Sequence, residues 1–333
     1  RASLAPEQER RKHIDRVVGQ TAEKLLASES HFSERELLRG TADGLRDGKA
    51  KATEIRQAVD DWLKRPEVTA VGQRKDETRY TTRAVIDLER GFLDAAKQKA
   101  AEATHPVSER YRRKVVERHF PLQGVSSDDR ERNKGQREAV NHITGPEGIS
   151  VLSGMAGTGK STVLAAARKV WEHQGYTVHG MALAGIAAKN LKEASGIESE
   201  TLAMRLKQLE PKGLTGTVWH HAKQIAKTAA NELHKDCDLP VYKPSFKLTA
   251  KSVVVLDEAG MVGTADMARL LGHVRAAGAK LVLVGDSSQL QPIAAGSPFR
   301  RLESELGSAR LTHITRQKPD LSDHSPYWRR EAV

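Results

Sequence analysis

The stretch Gly154-Met155-Ala156-Gly157-Thr158-Gly159-Lys160-Ser161 fits the pattern G-x-x-x-x-G-K-[ST] and decides the fold. An apolar run over residues 149–153 precedes it and predicts a buried β-strand, and residues 162–167 after it predict a helix. This order of strand, loop and helix is the context in which the pattern forms a phosphate-binding loop. A glycine-rich turn that matches by chance would not explain both flanks.

The residue types of this loop suit a nucleotide. Glycines let the backbone N–H groups converge on phosphate oxygens, and the following helix directs its positive end at the same anion. Lys160 would neutralise the charge of the β- and γ-phosphates, and the Ser161 hydroxyl would ligate Mg²⁺. We therefore expect ATP to be bound by Gly154, Met155, Ala156, Gly157, Thr158, Gly159, Lys160, Ser161 and Thr162.

Composition narrows the class of partner. The 333 residues carry a net charge of +11 and have a pI near 9.7. In a nucleotide-binding protein this balance favours nucleic acid, although basic residues can also serve solubility alone. The single cysteine, Cys237, excludes an intramolecular disulfide and a cysteine-based zinc cluster, and favours a cytoplasmic setting. No apolar run approaches the roughly 20 residues of a membrane span, and the first residues do not resemble a signal peptide.

The front of the chain predicts a helical unit with a hairpin. Apolar residues at helical spacing predict a first helix over about residues 7–27, and Ser33 with Glu36 forms a capping box before a second. A third helix is expected over 52–63, followed by a β-hairpin over 68–82. Three helices and a hairpin are the order of a winged-helix unit, which either contacts duplex DNA or serves only as a protein contact.

A further helix is predicted from Arg83 to about residue 103, and then a helix and an exposed linker over 111–132. We expect a domain boundary near Gly124. The predicted division is a winged-helix-like N-terminal domain with its linker over residues 1–124, an ATPase over 125–317, and the start of a further lobe over 318–333.

The second half alternates strands with helices. A short helix is expected over 133–140, and strands over 149–153, 177–182, 251–256 and 280–284, with helices after the first three. This alternation predicts an α/β, doubly wound sheet of the RecA-like P-loop type, which binds ligands at the carboxyl ends of its strands.

Polar residues follow two of these strands. Asp257 and Glu258 come after the third, where the first carboxylate could hold Mg²⁺ and the second could orient or deprotonate the attacking water. Gln289 lies in the segment after the fourth, where a glutamine can sense the γ-phosphate. Taken alone, the acids could be a helix cap and the glutamine part of an ordinary polar loop.

Together these segments resemble the successive motifs of superfamily 1 helicases of the RecD-like branch, and most closely the helicase part of TraA/TraI-type (MobA/MobL) conjugative relaxases. The resemblance rests on the loop above and on segments that follow the family's order and spacing over about residues 133–317: Gly135-Gln136-Arg137-Glu138, Ala184-Gly185-Ile186-Ala187-Ala188-Lys189, Ser199-Glu200-Thr201-Leu202, Asp257-Glu258-Ala259-Gly260-Met261-Val262, Gly285-Asp286-Ser287-Ser288-Gln289-Leu290-Gln291-Pro292 and Leu311-Thr312-His313-Ile314-Thr315-Arg316-Gln317.

The resemblance implies roles for these residues. Gln136 would select adenine, Asp257 would bind Mg²⁺ and Glu258 would be the catalytic base. Gln289 would sense the γ-phosphate, and Arg316 would reach it from the hinge between two motor lobes. Single-stranded DNA would be held by its backbone, as a motor that tolerates any sequence requires, at Ala184, Lys189, Ser199 and Thr201.

Two features limit what the resemblance implies for this chain. It stops at Val333, so we expect the second RecA-like lobe to lie outside it, and His220-His221 is too isolated to be the three-histidine site of a nickase. Three hypotheses remain: a motor lobe of a conjugative relaxase, a RecD-like repair helicase, and a fragment that binds ATP or DNA without turnover.

Overall fold

The computed structural model describes residues 6–46, 50–74, 76–210, 246–286 and 298–313. Its first part is the expected set of helices with a hairpin. The elements are α1 (Pro6–Ser28), β1 (Phe32–Ser33), α2 (Glu34–Gly44), α3 (Ala52–Leu63), β2 (Val68–Arg74) and β3 (Glu77–Thr82). The strands form a small antiparallel sheet in the order β1-β3-β2, which has the winged-helix arrangement of three helices and a wing.

The capping box forms as predicted. Ser33 Oγ accepts from Glu36 N at 3.3 Å, and Glu36 Oε2 accepts from Ser33 N at 2.7 Å. Two N–H groups at the start of α2 are thereby satisfied, which fixes where that helix begins. Phe32 and Trp62 pack between the helices with their ring centroids 5.8 Å apart. Strand β1, which carries Phe32, is too short to leave a periodic pattern, and the sequence did not predict it.

The second part is a three-layer α/β domain. It contains α4 (Arg83–Ala100), α5 (Glu109–His119), α6 (Ser127–Ile143), β4 (Ile149–Gly154), α7 (Lys160–His173), β5 (Thr177–Ala182), α8 (Gly185–Ser195), β6 (Ser199–Thr201), α9 (Leu202–Leu209), β7 (Ser252–Leu256), α10 (Thr264–Ala277), β8 (Lys280–Gly285), α11 (Pro298–Leu306) and β9 (Ala309–Leu311). The strands form one parallel sheet in the order β6-β5-β7-β8-β4-β9.

Helices cover both faces of this sheet, as a doubly wound fold requires. Side chains from α4, α9, α10 and α11 form the hydrophobic core on one face, and side chains from α5, α6, α7 and α8 form the core on the other. Strands β4, β7 and β8 are buried along their whole length, which explains why their sequences are largely apolar rather than alternating.

Two features of the connecting region differ from expectation. The short helix expected from residue 133 is a 17-residue helix that begins at Ser127, where Ser126 Oγ accepts from Asp129 N at 3.1 Å. Residues 127–132 are all polar or charged, so they show no apolar periodicity from which to predict this first turn. In addition, Phe92 of α4 and Val116 of α5 belong to the cores of the α/β domain. The domain division remains a prediction, but this packing favours a boundary near residue 82 over one near residue 124.

Candidate functional site

The loop after β4 has the backbone that its glycines were expected to allow. Gly157 and Gly159 adopt left-handed φ angles of 78° and 87°, and α7 begins directly afterwards. A Cβ on Gly159 would lie 2.1 Å from the side-chain nitrogen of Gln136, so a larger residue must displace the end of that side chain as well as adopt a positive φ. Thr158 Oγ1 donates to Met155 O at 2.8 Å and closes the turn.

Lys160, the first residue of α7, turns back over this loop. Its Nζ donates to Gly154 O at 2.6 Å and to Met155 O at 3.0 Å. Burial lowers the pKa of Lys160, while the carboxylates of Asp257, Asp286 and Glu258 act in the opposite direction. The ammonium group therefore stands where negative charge from two neighbouring strand ends converges.

Asp257 and Glu258 follow β7 at the same edge of the sheet. Glu258 N donates to Asp257 Oδ1 at 2.9 Å. Burial raises the pKa of Asp257, and burial together with the Asp257 charge raises the pKa of Glu258. Glu258 has φ 53° and ψ 32°, a left-handed conformation that costs a non-glycine residue on the order of 1–3 kcal/mol. Strain of this kind collects at functional sites, where surrounding structure holds it in place.

A cleft of about 540 Å³ brings the predicted residues together. Lys160, Ser161, Thr162 and Asp257 line one side of it. Gln136 of α6 also lines the cleft, and its Nε2 donates to Thr158 O at 3.5 Å, a long hydrogen bond that ties α6 to the loop. The size is that of a small-molecule site, and the lining combines a lysine, a hydroxyl and a carboxylate.

The α6 side of this cleft includes residues that sequence reasoning missed. They lie at the end of α5 or on the same face of α6 as Gln136: His119, Phe120, Arg132 and Asn133. Asn133 Nδ2 donates to Pro121 O at 2.7 Å and Arg137 Nε donates to Phe120 O at 2.6 Å, so both side chains fasten the α5–α6 connection to α6. Helical spacing of three from Gln136 could have indicated Asn133; nothing local in the sequence indicates His119.

The edge strand β9 lies beside the loop strand. Its register pairs Ser153 with Arg310 and Gly154 with Leu311. Glu303 joins these elements: it hydrogen-bonds Ser153 and accepts from Arg310 at 3.0 Å, and these bonds hold its pKa below the ordinary value against the effect of burial. The chain therefore leaves β9 next to the phosphate-binding loop. Gln289 and Arg316, predicted as sensor and arginine finger, lie outside the described residues.

The four residues predicted to contact DNA lie at different distances from the carboxyl edge of the sheet. Ala182 pairs with Thr201 at the ends of β5 and β6, so the Ala184 loop and Thr201 adjoin at the carboxyl edge of the sheet. Lys189 lies further along α8, exposed, 3.8 Å from Glu193. Ser199 lies two residues back inside β6, and its Oγ donates to Ile197 O at 2.7 Å. The structure thus brings two of the four together at the edge and leaves two away from it.

Two features are absent from the described residues. No helix there is long and apolar enough to cross a bilayer. No group of three or more His, Cys, Asp and Glu side chains there is placed to hold a metal ion. The His220-His221 pair and most of the long segment over 204–247 lie outside those residues.

Comparison with known proteins agrees with this geometry. The model of a family described as an AAA domain matches residues 131–332, which is more than half of the chain. The chain belongs to this AAA domain family. The match begins within α6, close to Gln136, and includes every element that lines the cleft apart from the end of α5.

The chain is also similar in sequence to conjugation proteins and to a DNA helicase. The chain is 36% identical over 258 residues to conjugal transfer protein TraA of Agrobacterium fabrum, an alignment that covers 78% of this chain and 20% of that protein. It is 31% identical over 196 residues to multifunctional conjugation protein TraI of Escherichia coli, covering 57% and 10%. It is 30% identical over 205 residues to ATP-dependent RecD2 DNA helicase of Deinococcus radiodurans, covering 59% and 24%.

These relatives confirm the resemblance that the motifs indicated, to TraA/TraI-type proteins with a RecD-like helicase domain. The chain spans about a fifth of the length of the TraA protein from Agrobacterium fabrum. The activities of the full-length relatives are therefore only proposed for this chain.

Proposed function

We propose that this chain is the first motor lobe of an ATP-dependent DNA helicase within a conjugative relaxase, coupling ATP hydrolysis to movement along single-stranded DNA. The observation that carries the proposal is the cleft in which Lys160, Ser161, Asp257 and Gln136 meet at the carboxyl edge of the parallel sheet. The TraA and TraI relatives support the conjugative setting.

In the proposed site the glycine-rich loop, residues 154–162, holds the phosphates with its backbone N–H groups. Lys160 releases its two loop carbonyls and neutralises phosphate charge instead. Gln136 contacts the adenine from α6. Glu258, whose raised pKa makes it a stronger base than a free glutamate, accepts the proton of the attacking water.

The residues present also fit a magnesium ion. Asp257 is a partly buried carboxylate whose pKa is raised because burial disfavours its charge, so a cation beside it would stabilise the ionised form. Mg²⁺ is commonly held by one or two carboxylates or hydroxyls together with substrate phosphates, and Asp257 and Ser161 supply that number here. When bound, the ion would neutralise charge on the β- and γ-phosphates.

DNA is proposed to run past the neighbouring loops at the same edge of the sheet. Ala184 and Thr201 adjoin there, and Lys189 and Ser199 complete the predicted set. Gln289 and Arg316 are proposed to report the γ-phosphate to a second RecA-like lobe of the parent protein. Contact of the winged-helix unit with duplex DNA, and a cytoplasmic location, remain predictions.

The test uses the full-length parent protein. ATP hydrolysis should be stimulated by single-stranded DNA and should fall by at least about a hundredfold in Lys160→Ala and in Glu258→Gln. Glu258→Gln should still bind ATP, because it removes the base and leaves the phosphate site intact. Hydrolysis that is insensitive to both substitutions would refute the proposal.

Two alternatives have their own support. The RecD2 relative favours a repair helicase with no role in conjugation, and a parent sequence without a nickase tyrosine and three-histidine site would decide for it. A fragment that binds ATP or DNA without turnover is the third hypothesis. Retention of labelled ATP on a filter without release of phosphate by this chain would support it.

A further inference from the structure

Helix α5 carries an unusual concentration of positive charge. Its eleven residues, Glu109–His119, include five Arg or Lys residues and two glutamates. Four of the cations are Arg110, Arg113, Lys114 and Arg118, which follow one another at helical spacings of three, one and four. These spacings place them along one side of the helix, opposite the buried residues Val115 and Val116.

Several basic side chains on neighbouring helices are paired with a carboxylate. On α7, α8 and α10, Arg168, Lys189, Lys192 and Arg269 each lie within 4 Å of a carboxylate. Within the described part of the chain, Arg110, Arg113, Lys114 and Arg118 form no ion pair, and Glu117, on the same helix, forms none either. Arg110, Lys114 and Arg118 stand four residues apart, and like charges at this spacing weaken a helix. Glu117 lies on the same side and offsets part of that cost, and an anionic partner would relieve the rest.

A groove borders this stripe. It measures about 610 Å³ and lies between α5 and α6, where Arg110, Arg113 and Arg137 line it together with Asn141 and the two glutamates of α5. Arg137 is anchored through Nε to Phe120 O at 2.6 Å, so the floor of the groove is fixed to the backbone. Arginine is well suited to a phosphate partner, because its planar guanidinium can donate two hydrogen bonds to one phosphate.

We propose that this basic face of α5, with the adjoining groove, binds the phosphate backbone of duplex DNA. The stripe from Arg110 to Arg118 is about 12 Å long at 1.5 Å per residue. Along the axis of a duplex, one strand places a phosphate every 3.4 Å or so, so a stripe aligned with that axis spans about three or four of them. The inference rests on the proposed function only in taking DNA as the polyanion.

The absence of a stacking surface favours duplex over single-stranded DNA. Proteins that hold single strands combine cations with exposed aromatic side chains on which unpaired bases stack. The two aromatic residues of this region are engaged elsewhere: Tyr111 stacks on His173 with centroids 3.6 Å apart, and Phe120 is buried in the core. A duplex needs only the cations, because its bases are already stacked on each other.

The winged-helix unit offers a weaker surface for the same partner. On α3, the helix that such units place in the major groove, Asp61 accepts hydrogen bonds from Gln57 at 2.9 Å and from Arg11 at 3.3 Å. That helix therefore presents a carboxylate already engaged with its neighbours, whereas α5 presents cations without partners. The difference makes α5 a stronger candidate than α3 for contact with a duplex.

The test measures binding of a fluorescent 20-base-pair duplex, and of a single strand of equal length, to the full chain over a range of salt concentrations. One variant combines Arg110→Gln, Arg113→Gln, Lys114→Gln and Arg118→Gln. A matched control combines Lys12→Gln, Arg16→Gln, Arg83→Gln and Arg90→Gln, four exposed cations of α1 and α4. Both variants lose four positive charges, so they separate a local surface from the effect of net charge.

For the α5 variant we expect the slope of log K against log salt to become shallower by about 2 to 4, since each duplex phosphate contact contributes roughly 0.9. Duplex affinity should fall at least tenfold, and single-strand affinity should fall less. Replacing the three arginines by lysine, which keeps the charge, should restore most of the slope. Circular dichroism and thermal unfolding identify a variant that has lost its fold, in which case the lysine-substituted protein and the single mutants provide the comparison.

Three results would overturn the inference: equal losses in the α5 variant and the control, a loss confined to single strands, or a loss of binding to anionic phosphatidylglycerol vesicles with duplex binding unchanged. ATP binding by the same samples reports separately on the proposed function. A wild-type chain that binds ATP but no duplex would refute this inference alone.

Discussion

The two edges of the six-stranded sheet both bury charged side chains, yet they do so in different ways. At the amino edge, Lys280 is fully buried, and its Nζ donates to Gly145 O at 3.0 Å, to Glu147 O and to Ser150 Oγ at 3.1 Å. At the carboxyl edge, Lys160 faces a cleft that it shares with Asp257. Lysine is therefore enclosed by protein acceptors at one edge and exposed to a ligand-sized space at the other.

The pKa shifts do not separate the two edges. Burial lowers the pKa of Lys280 to about 8, and burial also lowers the pKa of Lys160. At the amino edge burial lowers the pKa of His105 to about 4, while His105 Nε2 lies 3.1 Å from Gly278 O. A perturbed pKa indicates a functional site only when the group also borders open space and complementary chemistry. The cleft and the strained Glu258 backbone supply those observations at the carboxyl edge alone.

The strongest test of this contrast replaces each of the two lysines and compares the effects on stability and on ATP hydrolysis. Lys280→Met should lower the free energy of unfolding by about 2–3 kcal/mol, because it leaves two carbonyls and a hydroxyl buried without their donor. Lys160→Met should change it by less than about 1 kcal/mol while abolishing ATP hydrolysis. Urea unfolding measures the first quantity, with Lys247→Met, an exposed lysine, as the control. Equal stability of the Lys280 and Lys247 variants would contradict the structural role.

Gly159→Ala tests whether the cleft depends on the left-handed loop. Gly159 and Gly175 both have positive φ, 87° and 79°, but a Cβ would collide with Gln136 at the first position and meets nothing within 4 Å at the second. Both substitutions should cost roughly 1–2 kcal/mol of stability from backbone strain. Only Gly159→Ala should weaken ATP binding, by tenfold or more, as titration calorimetry would detect. Equal affinity in the two variants would show that Gln136 and the loop are independent.

The remaining test is a pH dependence of stability. The pKa of Lys280 is about 8 in the folded protein and 10.5 in a free lysine. Between these values the unfolded chain binds more protons, so the contribution of Lys280 makes the protein more stable as pH rises from about 8 to 10.5. The slope is at most about 1.4 kcal/mol per pH unit. It is measured as wild type minus Lys280→Met, and a difference that stays constant over this window would contradict the lowered pKa.

Local patterns in the sequence anticipated most of the long elements. Helix α3 lies over Ala52–Leu63 as expected, and the capping box of Ser33 and Glu36 starts α2. The misses share a physical cause. Strands β1, β6 and β9 have two or three residues, too few to show a period, and they form because an existing sheet offers them hydrogen-bonding partners.

The candidate site likewise contains residues that local motifs predicted and residues that they did not. Lys160, Ser161, Asp257 and Gln136 were predicted from motifs, and they meet in one cleft. His119 and Arg132 were not predicted, since they enter the cleft only through the way α5 and α6 cross the loop helix. The sequence also did not predict the strained backbone of Glu258, because the residue types around it do not indicate a positive φ.

By itself, the sequence determined that a strand, a glycine-rich loop and a helix follow one another over residues 149–173, because those signals depend on neighbours within a few residues. It also determined the doubly wound class, since alternating buried strands and helices have few other ways to pack. Only the tertiary structure decided that α4 and α5 pack with the α/β domain, which lysine is enclosed and which faces a cleft, and that four cations of α5 remain unpaired. These depend on contacts between residues far apart in the chain, and no local pattern records them.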